Sequence, residues 1–278
     1  MTLQLYQVLL DMYADLGHGQ VRKVTGTGTT STTIDTAIKT GGLEVGSIIV
    51  RATTDALAPQ GEFGRVTAFN PTTSTWTHDT LTVATAAGDY VQLCRNQIPL
   101  YDGIEIVNRA LRALPMVVLV DTTTLDTAET QTEYAAAVAW KHSRPRRIDI
   151  QTNTGDSNDN DWEILHGWDY VPAGANSTGL LVFDSQPTAS RDLRIWYDAD
   201  HPRVSLYSDY INEMLRPEIV RATVLQEALD FLIAKQGQSA SNALKEQRNK
   251  AAVDADRALA RNYIFRPPRE ARLNIIEW

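Results

Sequence analysis

Apolar side chains first recur at helical spacing in Leu5, Val8, Leu9, Met12, Tyr13 and Leu16, and Gly17 follows where a left-handed cap belongs. The pattern predicts a helix over about residues 2–16, too short to stand alone. From His18 to Gln97 the period drops to two. Val21–Thr25, Ser47–Ala52, Gly64–Asn70, Trp76–Ala84 and Asp89–Cys94 read as strands, separated by turn chemistry such as Gly41–Gly42 and Asn70–Pro71. Short strands at close spacing predict a small sandwich or barrel. Thr supplies eight of the sixteen residues from Thr25 to Thr40. That stretch lacks a Gly-Lys-Ser/Thr ending and a following helix, so it reads as an exposed β-rich loop and not as a phosphate cradle.

Helical spacing returns at Leu100, Ile104, Val107, Leu111 and Leu114, with Pro99 in the first turn and Pro115 as the stop. This helix is the natural partner of the first, which makes the β module an insertion between them. Asn108, Arg109 and Arg112 fall on its flank and read as a solvated or subunit-facing edge. Residues 116–200 form a second β-rich region. Its candidate strands are Met116–Asp121, Tyr134–Trp140, Arg146–Thr152, Trp162–Tyr170, Gly179–Asp184 and Leu193–Tyr197. Trp140, Trp162, Trp168 and Trp196 supply much of its available core bulk, and an antiparallel sandwich is the simplest arrangement.

Beyond His201–Pro202, Pro217 opens a helix whose apolar face (Ala222, Leu225, Leu229, Leu232) runs to a turn at Gly237. An alanine-striped helix follows through Leu244, Ala251, Ala255 and Ala258, and Pro267–Pro268 break it into an extended tail. The fold class is therefore α+β. A helix bundle (residues 1–17, 98–115 and 205–262) carries an inserted β-barrel or sandwich module (18–97). A second antiparallel β region (116–204) and a tail (263–278) complete the chain.

Composition changes this picture little, but it narrows the chemistry. The chain of 278 residues has 43% hydrophobic and 22% charged residues, ordinary for a globular protein. No apolar run approaches the ~20 residues of a membrane span, and the N-terminus lacks the basic start of a signal peptide. One cysteine, Cys94, excludes an internal disulfide and cysteine-based metal clusters, and its strand context points to core packing. The net charge is −8, yet Ser239–Trp278 carries +3, leaving an acidic body unlike a dedicated nucleic-acid binder.

No metal, cofactor or catalytic constellation is expected. The five histidines (His18, His78, His142, His166, His201) are scattered, with no pair at i,i+3 or i,i+4. The loop Asp156–Asp161 matches the first ligands of a calcium loop, but Asp161 stands where Gly is needed and Gly167 where a bidentate Glu is needed. An EF-hand is excluded there, and opportunistic cation binding is left open. A Gly-x-Ser-x-Gly elbow is missing and nothing selects a carboxylate pair, so the chain reads as a non-enzyme.

Interfaces remain. In the tail, Arg266, Arg269 and Arg272 flank Pro267 and Pro268, and Leu273, Ile275, Ile276 and Trp278 follow. Burying such apolar side chains stabilises by roughly 1.5–3 kcal/mol each, so a receiving groove or sheet edge is the economical explanation. The alternative is that the tail folds back on its own β region. The stripe Leu244, Ala251, Ala255 and Ala258 permits close helix approach and serves the hairpin partner or a neighbouring subunit.

The order of elements resembles a known family. A short helix, a β insertion closing in Gly88–Leu93, and the helix Ile106–Leu114 come first. A sandwich with Trp162–Leu165 and Arg194–Tyr197 then leads through His201–Pro202 into a helical hairpin and tail. This resembles the head-to-tail adaptor (connector, neck) proteins of tailed bacteriophages. The resemblance implies a virion protein assembled in the host cytoplasm as a ring of about twelve copies. The ring would dock on the portal protein through the tail and link it to a tail or tail-terminator protein. Viral DNA would pass through without sequence-specific binding, and no membrane would be involved. A different tail-completion or fibre-attachment protein, or a carbohydrate-binding or hydrolysing β-protein, is the alternative.

Overall fold

Helix α1 (Leu5–Asp15) starts where the N–H of Gln4 donates to Gln7 Oε1 at 3.0 Å and stops at Gly17, whose φ is +68°. The structure, a computed structural model, describes residues 3–38, 44–123, 125–128, 130–141, 143–152, 162–174 and 178–261. It has an α+β fold: among the described residues there are four α-helices and three antiparallel sheets. The chain divides into two compact units. Residues 3–114 and 201–261 belong to the first, and the described residues of 115–200 to the second.

The first unit joins all four helices and the strands up to residue 95. Those strands are β1 (Gly19–Lys23), β2 (Gly26–Thr29), β3 (Thr32–Ile34), β4 (Val45–Ala52), β5 (Phe63–Asn70), β6 (Thr75–His78) and β7 (Tyr90–Arg95). They form one sheet in the order β1-β7-β4-β5-β6-β3-β2. Its two outer strands, β1 and β2, are separated in the chain by Val24 and Thr25 alone. Such a short link between opposite edges requires the sheet to curl over its own inner face. Trp76, Ile48, Val50, Val91 and Leu93 fill that face.

The Thr/Gly stretch therefore differs from the loop expected there, because it supplies β2 and β3. Thr33 is fully buried, and its hydroxyl lies 3.1 Å from both His78 Nε2 and Thr85 Oγ1. Small hydroxylated side chains suit this position: they pack in a strand and satisfy one another where water is excluded.

Helix α2 (Leu100–Ala113), with Pro99 as its cap, and helix α3 (Pro217–Gln236) pack with α1, which also touches β1 and β4. Pro217 opens α3 at its first turn, as its fixed φ and missing N–H favour. Leu9, Met12, Tyr13, Ile106, Val107, Ile219 and Leu229 are buried among these helices. Tyr13 anchors the cluster by donating to the Ile98 carbonyl at 2.9 Å. Asn108 corrects the expectation of a solvated edge. It is buried and binds the backbone of Val204 with both ends of its side chain.

The second unit is a two-sheet arrangement around one core. Strands β8 (Val117–Asp121), β10 (Arg147–Gln151), β11 (Trp162–Ile164) and β14 (Leu193–Ala199) form a sheet ordered β11-β10-β14-β8. β9 (Glu133–Ala135), β12 (Trp168–Val171) and β13 (Leu180–Phe183) form a second ordered β12-β13-β9. Trp140, Trp168, Ile148, Leu181 and Ile195 belong to their shared core.

Two expected strands end up shorter here. Trp162–Tyr170 is divided into β11 and β12, in different sheets, with Gly167 at φ +72° between them. Of Tyr134–Trp140 only the start pairs, and Trp140 caps a turn by donating its N–H to the Ala137 carbonyl at 3.1 Å. Trp162 and Trp196 also depart from the expected core. Trp196 alternates with the core residues Ile195 and Tyr197, so its ring lies on the opposite face, 5.9 Å from the guanidinium of Arg147. Trp162 sits 4.0 Å beneath Arg194 in the same way.

Candidate functional site

Helix α4 (Asn242–Arg261) is the candidate interface element. Gly237, at φ +58°, ends α3, and a single 3-10 turn (Gly237–Ser239) reverses the chain. Ser241 then caps α4, its hydroxyl accepting the Leu244 N–H at 3.2 Å. Across the hairpin Arg248 grips Asp230 with both arms, Nε to Oδ1 at 2.7 Å and Nη2 to Oδ2 at 3.1 Å. That bond raises the guanidinium pKa and keeps it charged. Nothing in the sequence pattern announces this pair, because its partners stand 18 positions apart on different helices.

The four residues expected to form a subunit interface divide between two environments. Ala251 and Ala255 are buried in the chain itself, and Leu244 and Ala258 are half-buried. Ala251 and Ala255 are the only buried residues of the helix, which packs on α3. Their methyl groups bury little area, so α4 is held along a narrow edge and by the Arg248–Asp230 pair. Its remaining face is exposed: Val253 is 47% accessible, and Asp254 and Arg257 pair on the surface at 3.6 Å. The expected docking residues Arg266, Pro267, Pro268, Arg269, Arg272, Leu273, Ile275, Ile276 and Trp278 lie outside the described residues, as does the Asp156–Asp161 loop.

Among the described residues, concavities occur in both units. In the first unit one of about 330 Å³ lies beside Gln7, Asp11, Arg51 and Arg221. Burial raises the Asp11 carboxyl above its usual range, against the pull of Arg221, whose Nε is 2.6 Å from Oδ2. Another, of about 570 Å³, opens at the end of α3 beside Arg95, Asn96 and Lys235. The second unit has a groove of about 810 Å³ lined by Val120, Asp121, Leu125, Tyr134, Val138 and Tyr197. Its lining draws on three of the expected strands, Met116–Asp121, Tyr134–Trp140 and Leu193–Tyr197.

Two of the scattered histidines, His78 and His201, have local structural roles. His78 Nδ1 donates to the Asp79 carbonyl at 2.8 Å, and His201 Nε2 accepts the Asn212 N–H at 2.9 Å. Burial lowers the pKa of both, which keeps these rings neutral near pH 7. Cys94 is buried, and burial pushes its thiol up to about 12. Among the described residues no group of three His, Cys, Asp or Glu side chains is placed to hold a metal ion, and no helix is long and apolar enough to cross a membrane.

Comparison with known proteins finds no family model that matches the chain and no curated protein that matches it.

Proposed function

We propose that the protein is a structural virion component, a head-to-tail adaptor that assembles as a ring around a DNA channel and joins portal to tail. The observation that carries this reading is helix α4: 20 residues long, attached along one alanine edge, with its other face exposed. A long helix presented in this way is completed by a neighbouring copy, since its own chain covers too little of it. The finer fold reading belongs with the proposal. In it α1–α4 form a bundle, and β1–β7 form a closed barrel whose edges meet at the short Val24–Thr25 link. The tail, Arg266–Trp278, is the portal-docking element, with its arginines on acidic or carbonyl groups and Leu273, Ile275, Ile276 and Trp278 in an apolar groove.

Imaging of the purified protein, alone and mixed with a portal ring, tests the proposal. Ring particles of about twelve copies seated on the portal are expected. Deleting residues 264–278 should abolish docking and leave the circular-dichroism spectrum unchanged. If the truncated protein docks with undiminished affinity, the tail assignment fails. If no ring forms with or without a portal, the adaptor reading fails with it.

A further inference from the structure

A crevice in the first unit joins the two features of a small-ligand site, apolar walls and convergent charged groups. Leu3, Leu10 and Ala14 line it from the start of the chain and from α1, and Pro217 lines it from the first turn of α3. Its volume, about 330 Å³, lies at the lower end of the range of ligand pockets. The charged members come from three elements: Asp11 from α1, Arg51 from β4 and Arg221 from α3. Each of these residues lies within the first unit.

Charge selects the ligand. Arg221 is engaged in part, its Nε 2.6 Å from Asp11 Oδ2. Arg51, exposed near the end of β4, acts on Asp11 through charge alone, without a hydrogen bond. Two guanidiniums against one carboxylate leave one positive charge on the lining. At Pro217 the positive end of the α3 dipole reinforces it. Asp15, the other carboxylate that acts on Asp11, is exposed and stands outside the lining. Burial raises the Asp11 carboxyl against the pull of both arginines, so water is scarce around it. In such a setting a guanidinium–carboxylate bond is stronger than in open water. A monoanion balances this lining, whereas a doubly charged phosphate would leave a negative excess beside Asp11. The apolar walls suit an apolar stem behind the charged head.

We propose that this crevice between α1, β4 and α3 binds a monocarboxylate on an apolar stem. The head is held by Arg51 and Arg221, and the stem lies against Leu3, Leu10, Ala14 and Pro217. A free small acid and the C-terminal carboxylate of a peptide present the same chemistry. Such a site requires neither the ring nor the docking tail, so the adaptor reading stands or falls apart from it.

Isothermal titration of the full-length protein with hexanoate tests this, with hexanol, hexylamine and inorganic phosphate for comparison. Hexanoate is expected to bind at a single site per chain, roughly tenfold or more tighter than each of the three. Arg51→Gln should weaken hexanoate by roughly tenfold with an unshifted melting curve, because Arg51 is exposed. Asp11→Asn removes the competing carboxylate from Arg221 and should tighten hexanoate by roughly threefold. A cluster that merely holds α1 to α3 would give no such gain. No binding of hexanoate, equal binding of hexanol, or undiminished binding to the Arg51→Gln protein overturns the proposal. The peptide acetyl-Gly-Gly-Leu, as free acid and as C-terminal amide, separates the two sources. Tighter binding of the peptide acid than of hexanoate assigns the site to a chain terminus, and the reverse order assigns it to a free small acid. An amide that binds as well as the acid overturns carboxylate recognition.

Discussion

The side chain of Asn108 brackets the backbone of Val204: Nδ2 donates to the Val204 carbonyl at 2.8 Å, and Oδ1 accepts the Val204 N–H at 2.9 Å. Both residues are buried, and a third bond, Nδ2 to the Ile104 carbonyl at 3.0 Å, fixes the rotamer. Asn108 thus gives the chain leaving β14 the pairing that a strand would provide. Asn108→Leu strands two buried backbone groups and should cost roughly 2–3 kcal/mol. Urea denaturation measures it, and a loss below about 0.5 kcal/mol would mean that Val204 finds other partners.

His201 ties the same segment to the approach of α3, accepting the Asn212 N–H while its Nδ1 donates to the Pro202 carbonyl at 2.6 Å. Burial lowers its pKa, so the folded state favours the neutral ring. The associated stability is fully present above the ordinary histidine value of about 6.5 and is lost as pH falls from there towards the folded-state pKa. Protonation also removes the acceptor that Asn212 uses. His201→Gln should therefore flatten the fall in denaturation midpoint between pH 7 and pH 5. An unchanged slope in the variant would show that His201 does not titrate with unfolding.

In the second unit Arg146 and Asp198 form a buried pair, Nε to Oδ1 at 2.7 Å, with both side chains less than a tenth exposed. Replacing one partner leaves a charge in a poorly solvated site, so Arg146→Met should cost roughly 3–5 kcal/mol. By contrast, the surface pair Arg144–Asp169, at 3.9 Å and half exposed, should contribute less than about 1 kcal/mol. Thermal melts of Arg146→Met and Arg144→Met would show a large and a small shift respectively. Equal shifts would contradict the argument from burial.

What could be read from the sequence follows the range of the forces involved. The helices were legible because spacings such as Leu100, Ile104, Val107 and Leu111 express packing within one element. The position of Pro217 and the glycine stop at Gly237 were legible for the same local reason. Long-range pairing was not. Thr33 looks like a loop residue until His78 and Thr85 surround it, and Asn108 looks like a surface residue until Val204 arrives from 96 positions away. The bulk of Trp196 suggests a core residue, but strand register places it on the other face beside Arg147. At the candidate interface the alanine stripe was visible, but the Arg248–Asp230 clamp that accompanies it was not.

That stripe permits a test of whether α4 has one interface or two. Ala255 is buried in the chain, and Val253, two positions away, is exposed. Ala255→Leu forces a larger side chain into the hairpin and should cost roughly 1–3 kcal/mol. Val253→Asp removes no buried contact within the chain and should alter monomer stability by no more than about 0.5 kcal/mol. On the outer face, however, a carboxylate would face a neighbouring helix and carry its desolvation cost into every contact of the ring. Mass photometry should then show the Val253→Asp protein as monomers at concentrations where the unaltered chain assembles, with an unshifted melting curve. Normal assembly of Val253→Asp would place the subunit contact elsewhere and leave α4 as a hairpin partner of α3 alone.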